Sequence, residues 1–149
     1  MKNPEILRYR NNKLAYSLCL LAIAIQCIGF IFSYSSLKFN AQFNTGLDII
    51  INIIFLLVTF LLAEKIKTYN VTCGIIAIVL GIVNTVRIYT YYYNPNSGEL
   101  IYETVETWIF YLSIISYVLV AVLMTISGIL TIIKGNELKA FLSSLKEGK

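Results

Sequence analysis

Apolar residues are arranged along the chain in four long runs, and the polar segments between them are short. The runs cover residues 14–34, 47–63, 71–93 and 108–133. A helix needs roughly 20 apolar residues to cross the hydrocarbon core of a bilayer. The second run is short for this and borrows flanking residues such as Ile66. The pattern predicts an all-α membrane protein, a bundle of four transmembrane helices that forms a single integral membrane domain.

The composition supports a membrane domain with no additional soluble domain. Hydrophobic residues make up 58% of the chain and charged residues 13%, whereas soluble domains average about 25% charged residues. The net charge of +4 does not predict nucleic-acid binding, because the basic residues are not gathered with aromatic residues on a soluble face. We therefore expect the lipid bilayer, and not nucleic acid, to be the surrounding of this chain.

Basic residues lie mainly on one side of the predicted membrane. The N-terminus, the loop between the second and third spans, and the tail hold Lys2, Arg8, Arg10, Lys13, Lys65, Lys67, Lys134, Lys139, Lys146 and Lys149. Short loops rich in Lys and Arg stay cytoplasmic, so both termini are predicted inside the cell. The first run is too long for the core of a cleaved signal peptide and is expected to remain as an anchor. Frequent Ile, Asn, Lys and Tyr suggest an AT-rich bacterial genome, hence a multi-pass protein of the bacterial plasma membrane.

Short amphipathic helices are predicted at both termini. Near the start, Asn3 can cap a helix, Pro4 suits its first position, and Glu5 favours its first turn. In the tail, 136–149, apolar residues repeat with helical spacing at Leu138, Phe141, Leu142 and Leu145. Such a stripe indicates an interfacial helix. We favour a tail that lies on lipid headgroups, and keep docking on a partner subunit as the alternative.

A few polar residues interrupt the apolar runs near the predicted outer surface. Asp48 opens the second run, and Arg87 comes just before the tyrosine-rich end of the third. One turn deeper lie Asn52 and Asn84. These residues are predicted to join the second and third spans as a polar ladder that sets their register. The alternative is that they line, together with Gln26, a small outward-facing polar cavity.

Small residues mark the predicted helix contacts. The third run carries Gly74, Ala77 and Gly81 on one side, and small side chains let helix backbones approach closely. The fourth run carries Ser113, Ser116, Ala121, Thr125 and Gly128. We expect these faces to pack within the bundle, with packing against a partner protein as the alternative.

Catalytic groupings are missing from the sequence. Histidine is absent, and Cys19, Cys27 and Cys73 form no CxxC pair. The sequence has no nucleophile elbow, no phosphate-binding loop and no cluster of metal-ligand residues. The predicted outer loop contains three carboxylates that are expected to be solvated, Glu99, Glu103 and Glu106. The sequence therefore predicts a protein that is not an enzyme and that holds no metal or cofactor.

Two functions fit this pattern. The first is a non-enzymatic accessory or scaffolding subunit of a larger membrane complex, such as a transporter, whose partner is another integral membrane protein. The alternative is a small homo-oligomeric transporter or channel that uses an outward-facing polar site made of Asp48, Asn52, Asn84 and Arg87. A membrane-bound enzyme acting on lipid ranks third.

Overall fold

Four helices account for almost all of the chain that the computed structural model describes, residues 12–36, 42–92 and 107–147. Side chains are described within 12–32, 49–86, 108 and 111–145. The helices are α1 (Lys13–Ser36), α2 (Gln42–Ile66), α3 (Val71–Tyr92) and α4 (Thr107–Glu147). Each predicted apolar run is helical wherever it is described, which confirms the all-α prediction.

The surface of the bundle is apolar along most of its length. Three helices contain stretches long and apolar enough to cross a membrane, Lys13–Phe32, Ile49–Ile66 and Tyr111–Leu145, and the described apolar part of α3, Val71–Val86, is shorter. Exposed side chains include Ile31, Leu57 and Ile82, each more than half accessible. A bundle in water would carry polar residues at such positions, so this surface is suited to lipid.

Helix α4 is the centre of the bundle, because its most extensive packing is against α3 on one side and α1 on the other. Helix α2 packs mainly beside α1. Helices α1 and α4 run antiparallel, with Cys19 next to Met124 and Gly29 facing Ser116. The residues buried between helices are often small, so the helices are held by close backbone approach as well as by large side chains.

A tight turn, residues 67–70, joins α2 to α3. The N–H groups of Thr68 and Tyr69 donate to the carbonyls of Lys65 and Ile66. Tyr69 has a left-handed backbone conformation, φ 60°, which is unfavourable for a residue other than glycine. Its side chain is 8% exposed, so burial offsets that cost. Asn70 then caps α3, since its Oδ1 accepts a hydrogen bond from the N–H of Cys73 at 3.4 Å.

The tail differs from the prediction of a separate interfacial helix. Helix α4 continues without a break through residue 133 and on to Glu147. Gly135 does not end the helix because it serves as a packing position, where a Cβ would lie 2.5 Å from Cγ2 of Val71 and 3.0 Å from the carbonyl of Tyr69. The predicted N-terminal helix lies outside the described residues.

Candidate functional site

Besides Asn12, which precedes α1, three amide side chains are buried among the described residues, one on each of three helices. Gln26 of α1 is 2% exposed, Asn52 of α2 is 1% exposed and Asn84 of α3 is fully buried. Buried amides are costly unless they find hydrogen-bond partners. We refer to Gln26, Asn52 and Asn84 as the amide layer.

Contacts with α4 show that Gln26 and Asn84 lie at similar heights in the bundle. Asn84 reaches the main-chain carbonyl of Tyr117. On the other side of α4, Gly29 faces Ser116, the residue before Tyr117. Because Gln26 precedes Gly29 by three residues on an antiparallel helix, Gln26 lies within about one helical turn of Tyr117.

Asn52 is placed at the same height by the contact between α1 and α2. The hydroxyl of Tyr16 donates to Oε1 of Glu64 at 3.0 Å, so these two residues are level. Gln26 lies ten residues after Tyr16, and Asn52 lies twelve residues before Glu64. At 1.5 Å per residue the two amides therefore differ in height by only about 3 Å.

The amide layer lies near the middle of the predicted spans. Gln26 is about two residues from the centre of 14–34, and Tyr117 is about three residues from the centre of 108–133, which correspond to about 3 to 5 Å along a helix. Asn52 is about three residues from the centre of 47–63 and Asn84 about two residues from the centre of 71–93, in both cases toward the predicted outer side. In a membrane protein, polar groups at this depth have to be satisfied within the bundle.

The hydrogen bonding of the amide layer is incomplete. Nδ2 of Asn84 donates to the carbonyl of Tyr117 at 2.9 Å. Oδ1 of Asn84 and both Oε1 and Nε2 of Gln26 are buried and have no hydrogen-bond partner among the described residues. A buried polar group without a partner costs about 1–3 kcal/mol. Two acceptors and one donor thus remain available inside the bundle.

Small residues bring α1 and α4 close together at this height. Ser116 donates to the carbonyl of Ser113 at 2.7 Å, and both serines are buried. A Cβ on Gly29 would overlap Oγ of Ser116 and lie 2.9 Å from its Cβ. Glycine at position 29 is therefore what allows this approach, and the interface beside Gln26 leaves little freedom to the neighbouring side chains.

The structure buries part of the predicted polar set at a similar height in the bundle. Asn52 and Asn84 are both buried, as is Gln26, whereas the side chains of Asp48 and Arg87 lie outside the described residues. The ladder was predicted between the second and third spans, but α2 and α3 pack against each other much less than α3 packs against α4. The hydrogen bond from Nδ2 of Asn84 accordingly crosses to α4.

The small residues predicted on the third span lie in the interface between α3 and α4. A Cβ on Gly74 would meet the carbonyl of Gly128 at 2.9 Å, and one on Gly81 would meet the carbonyl of Ala121 at the same distance. Ala77, between them, is fully buried. The two backbones are therefore nearly in contact over two turns.

A second buried polar group lies at the end of the bundle that carries Asn12, which we call the Asn12 end. Nδ2 of Asn12 donates to Oγ1 of Thr131 at 3.2 Å, and its N–H donates to the carbonyl of Lys67 at 3.1 Å. Ser127 donates to the carbonyl of Ala15 at 2.8 Å. These contacts tie the start of α1 to α4 and to the α2–α3 turn.

Sequence reasoning did not single out this second group. Ser127 and Thr131 are spaced by four residues on the fourth apolar run and so share one helix face. That spacing is compatible with a polar contact to a neighbouring helix. It does not require one, because hydroxyl side chains can also donate to their own helix, as Thr131 does to the carbonyl of Ser127. Asn12 precedes the first run and carried no comparable signal.

An open groove of about 290 Å³ lies on the outside of the bundle, along the interface between α3 and α4. Its lining combines small or hydroxyl-bearing residues with exposed aliphatic ones: Gly81, Ile82, Thr85, Ala121, Val122, Thr125 and Ile126. Thr85 and Thr125 donate to carbonyls of their own helices. Since these hydroxyls are occupied, the groove offers mainly an apolar surface.

The chemistry available at the amide layer is hydrogen bonding. Amide side chains neither gain nor lose a proton near neutral pH, so they supply no general acid or base. Among the residues that the structure describes, no three His, Cys, Asp or Glu side chains are grouped so that they could hold a metal ion. The unpartnered atoms of the layer offer one hydrogen-bond donor group and two acceptors.

Comparison of the chain with protein-family models, with curated proteins and with solved structures finds no match.

Proposed function

We propose that this chain is a non-enzymatic accessory subunit of a larger complex in the membrane. The observation that carries this proposal is the length of α4. At 41 residues, the helix is about 60 Å long, twice the roughly 30 Å thickness of the hydrocarbon core. The part of α4 beyond Gly135 extends past the level of the α2–α3 turn by about 18 Å, and its exposed leucines, Leu142 and Leu145, can contact a partner.

The surface of this extension fits a docking role. Leu142 and Leu145 are 49% and 46% exposed, and with Leu138 and Phe141 they share one face of the helix. The contact of Gly135 with Tyr69 and Val71 fixes the direction in which α4 leaves the bundle. Leu142 and Leu145 are therefore presented beyond the packed part of the bundle, which favours a protein partner over the lipid headgroups.

We propose that both termini are cytoplasmic and that the bundle lies in a bacterial plasma membrane. The basic residues of the Asn12 end support this orientation, because Lys13, Lys65, Lys67 and Lys134 all lie near it. The positive-inside rule places such residues on the cytoplasmic side. The extension of α4 then enters the cytoplasm, where a partner subunit can reach it.

The test is native mass spectrometry of the protein extracted in mild detergent from its own membrane. The full chain is compared with a truncation after Gly135 and with the double variant Leu142→Ser/Leu145→Ser. We expect a stoichiometric hetero-complex with the full chain and loss of the partner with both variants. Loss should not require unfolding, since these leucines lie beyond the packed part of the bundle.

A control variant, Ala140→Ser/Ser143→Ala, changes exposed residues on the other side of the extension and should keep the partner. If the full chain is recovered only as a monomer or a homo-oligomer, the accessory-subunit proposal is wrong. If the partner remains after truncation, the complex exists but α4 does not hold it.

A second candidate function is the small homo-oligomeric transporter or channel, and one observation favours it. Gln26 and Asn84 keep unpartnered polar atoms near mid-depth, the position at which many transporters bind their substrates. On this hypothesis Asp48 and Arg87 line the outer approach to the amide layer. A clean homo-oligomer, with Asn84→Leu abolishing flux into proteoliposomes without loss of folding, would support it over the accessory subunit.

A further inference from the structure

We propose that the amide layer binds at least one structural water molecule, held between Gln26 and Asn84 at the height of Tyr117. This inference does not depend on either candidate function, because it concerns how the bundle satisfies its own buried polar groups. Water is the ligand class that the layer would take.

The need for a ligand follows from burial. Gln26 is 2% exposed, yet neither polar atom of its side chain has a hydrogen-bond partner among the described residues. Asn84 has one bonded atom and one, Oδ1, without a partner. Buried polar atoms in proteins are satisfied by protein groups or by bound water, and a water usually makes about three hydrogen bonds of this kind.

The combination of donor and acceptors distinguishes water from a cation. Nε2 of Gln26 is a donor, whereas its Oε1 and Oδ1 of Asn84 are acceptors. A water molecule can accept from the first and donate to the others. A cation would interact with the oxygens only and would leave the donor of Gln26 without a partner.

Charge also argues for water. Among the residues whose side chains are described, the carboxylates are Glu64 and Glu137, and both lie toward the Asn12 end of the bundle. Neither of these two carboxylates lies at the amide layer, and burying a cation without a carboxylate beside it is very unfavourable. A neutral water carries no such penalty.

The height of the layer provides a probe. Tyr117 is 1% exposed and lies at this height. Radiolysis of a bound water generates hydroxyl radicals in place, and these oxidise the nearest reactive side chain even when bulk solvent does not reach it. Met124 lies two turns along α4, is fully buried and is more readily oxidised, so it serves as the internal control.

The experiment is X-ray radiolytic footprinting of the full chain in nanodiscs, with oxidation read residue by residue by mass spectrometry. We expect Tyr117 to be oxidised and Met124 to remain protected. Gln26→Leu removes the donor and one acceptor at nearly constant volume and should reduce Tyr117 oxidation by at least about fivefold if water is lost with the amide. The neighbouring Ile25→Leu change should not reduce it.

Protection of Tyr117 in the folded wild-type protein would overturn the proposal without any variant, so the test does not depend on Gln26→Leu folding. Oxidation of Tyr117 that is unchanged in both Gln26→Leu and the more flexible Gln26→Met would also overturn it. A cation is tested separately: a melting temperature that differs between sodium, potassium and choline chloride at equal ionic strength would identify an ion in place of water.

Discussion

Asn84 donates a hydrogen bond from Nδ2 to the main-chain carbonyl of Tyr117 at 2.9 Å, across the interface between α3 and α4. The carbonyl belongs to a helix backbone, so the amide acts as a second donor to an acceptor that the helix already uses. The bond fixes which rotation of α3 faces α4, while Oδ1 of the same side chain remains without a protein partner among the described residues.

This geometry predicts that Asn84→Leu will be mild and Asn84→Asp severe. Leucine removes an interhelical bond, worth about 0.6 kcal/mol on average in membrane bundles, but also removes an unpartnered acceptor. An ionised aspartate removes the donor and places a negatively charged oxygen against the carbonyl of Tyr117, and it must take up a proton to regain a donor. We expect this change to lower the free energy of unfolding by about 3 kcal/mol or more. Equilibrium unfolding in mixed detergent micelles measures both, and equal effects would contradict the assignment of Nδ2 as the donor.

Gly128 is expected to tolerate no side chain. A Cβ there would lie 2.5 Å from the carbonyl of Gly74 and 2.6 Å from Cγ1 of Ile78, and the first of these atoms is backbone that does not move alone. Gly128→Ala should lower the free energy of unfolding by about 1–3 kcal/mol, as overpacking does elsewhere. The adjacent Ile129 is 45% exposed, so Ile129→Ala should change stability far less. If Gly128→Ala were as stable as the wild-type protein, α3 and α4 would pack less closely than the structure shows.

The cap of α3 gives a prediction outside the membrane core. Asn70 accepts a hydrogen bond from the N–H of Cys73, so Asn70→Ala should cost about 0.5–2 kcal/mol. Asn70→Asp keeps the acceptor and should retain most of the stability. Thermal unfolding followed by circular dichroism makes the comparison. A similar loss in the two variants would show that the amide, and not its oxygen, is needed.

The proposed orientation can be measured by labelling cysteines from outside the cell. In a variant with Cys19, Cys27 and Cys73 changed to alanine, single cysteines are introduced as Ser97→Cys and Ser144→Cys. A membrane-impermeant maleimide added to spheroplasts should label position 97 and should reach position 144 only after lysis. The reverse pattern would place both termini outside and would contradict the positive-inside assignment.

Part of the amide layer could be predicted before the structure. Asn52 and Asn84 stand out because they interrupt apolar runs, and polar residues in such runs tend to face the bundle interior. Their burial agrees with that expectation. The partner of Asn84 could not be predicted, because the spacing of residues along one helix does not reveal which neighbouring helix it faces. Asn12 was missed for a similar reason, since only the packing of α1 against α4 brings it to Thr131.

The sequence by itself determined that the chain is helical and where its apolar helices lie. The length of an apolar run and the spacing of polar residues are local properties of the chain, and they decide which segments are favourable in lipid. Tertiary structure alone decided that α4 is the central helix, that Asn84 bonds to α4, and that Gly135 is a packing position within one helix of 41 residues. In lipid all four helices are similarly apolar outside, so hydrophobicity does not choose their neighbours. Close backbone contact and a few hydrogen bonds make that choice, and both depend on residues far apart in the chain.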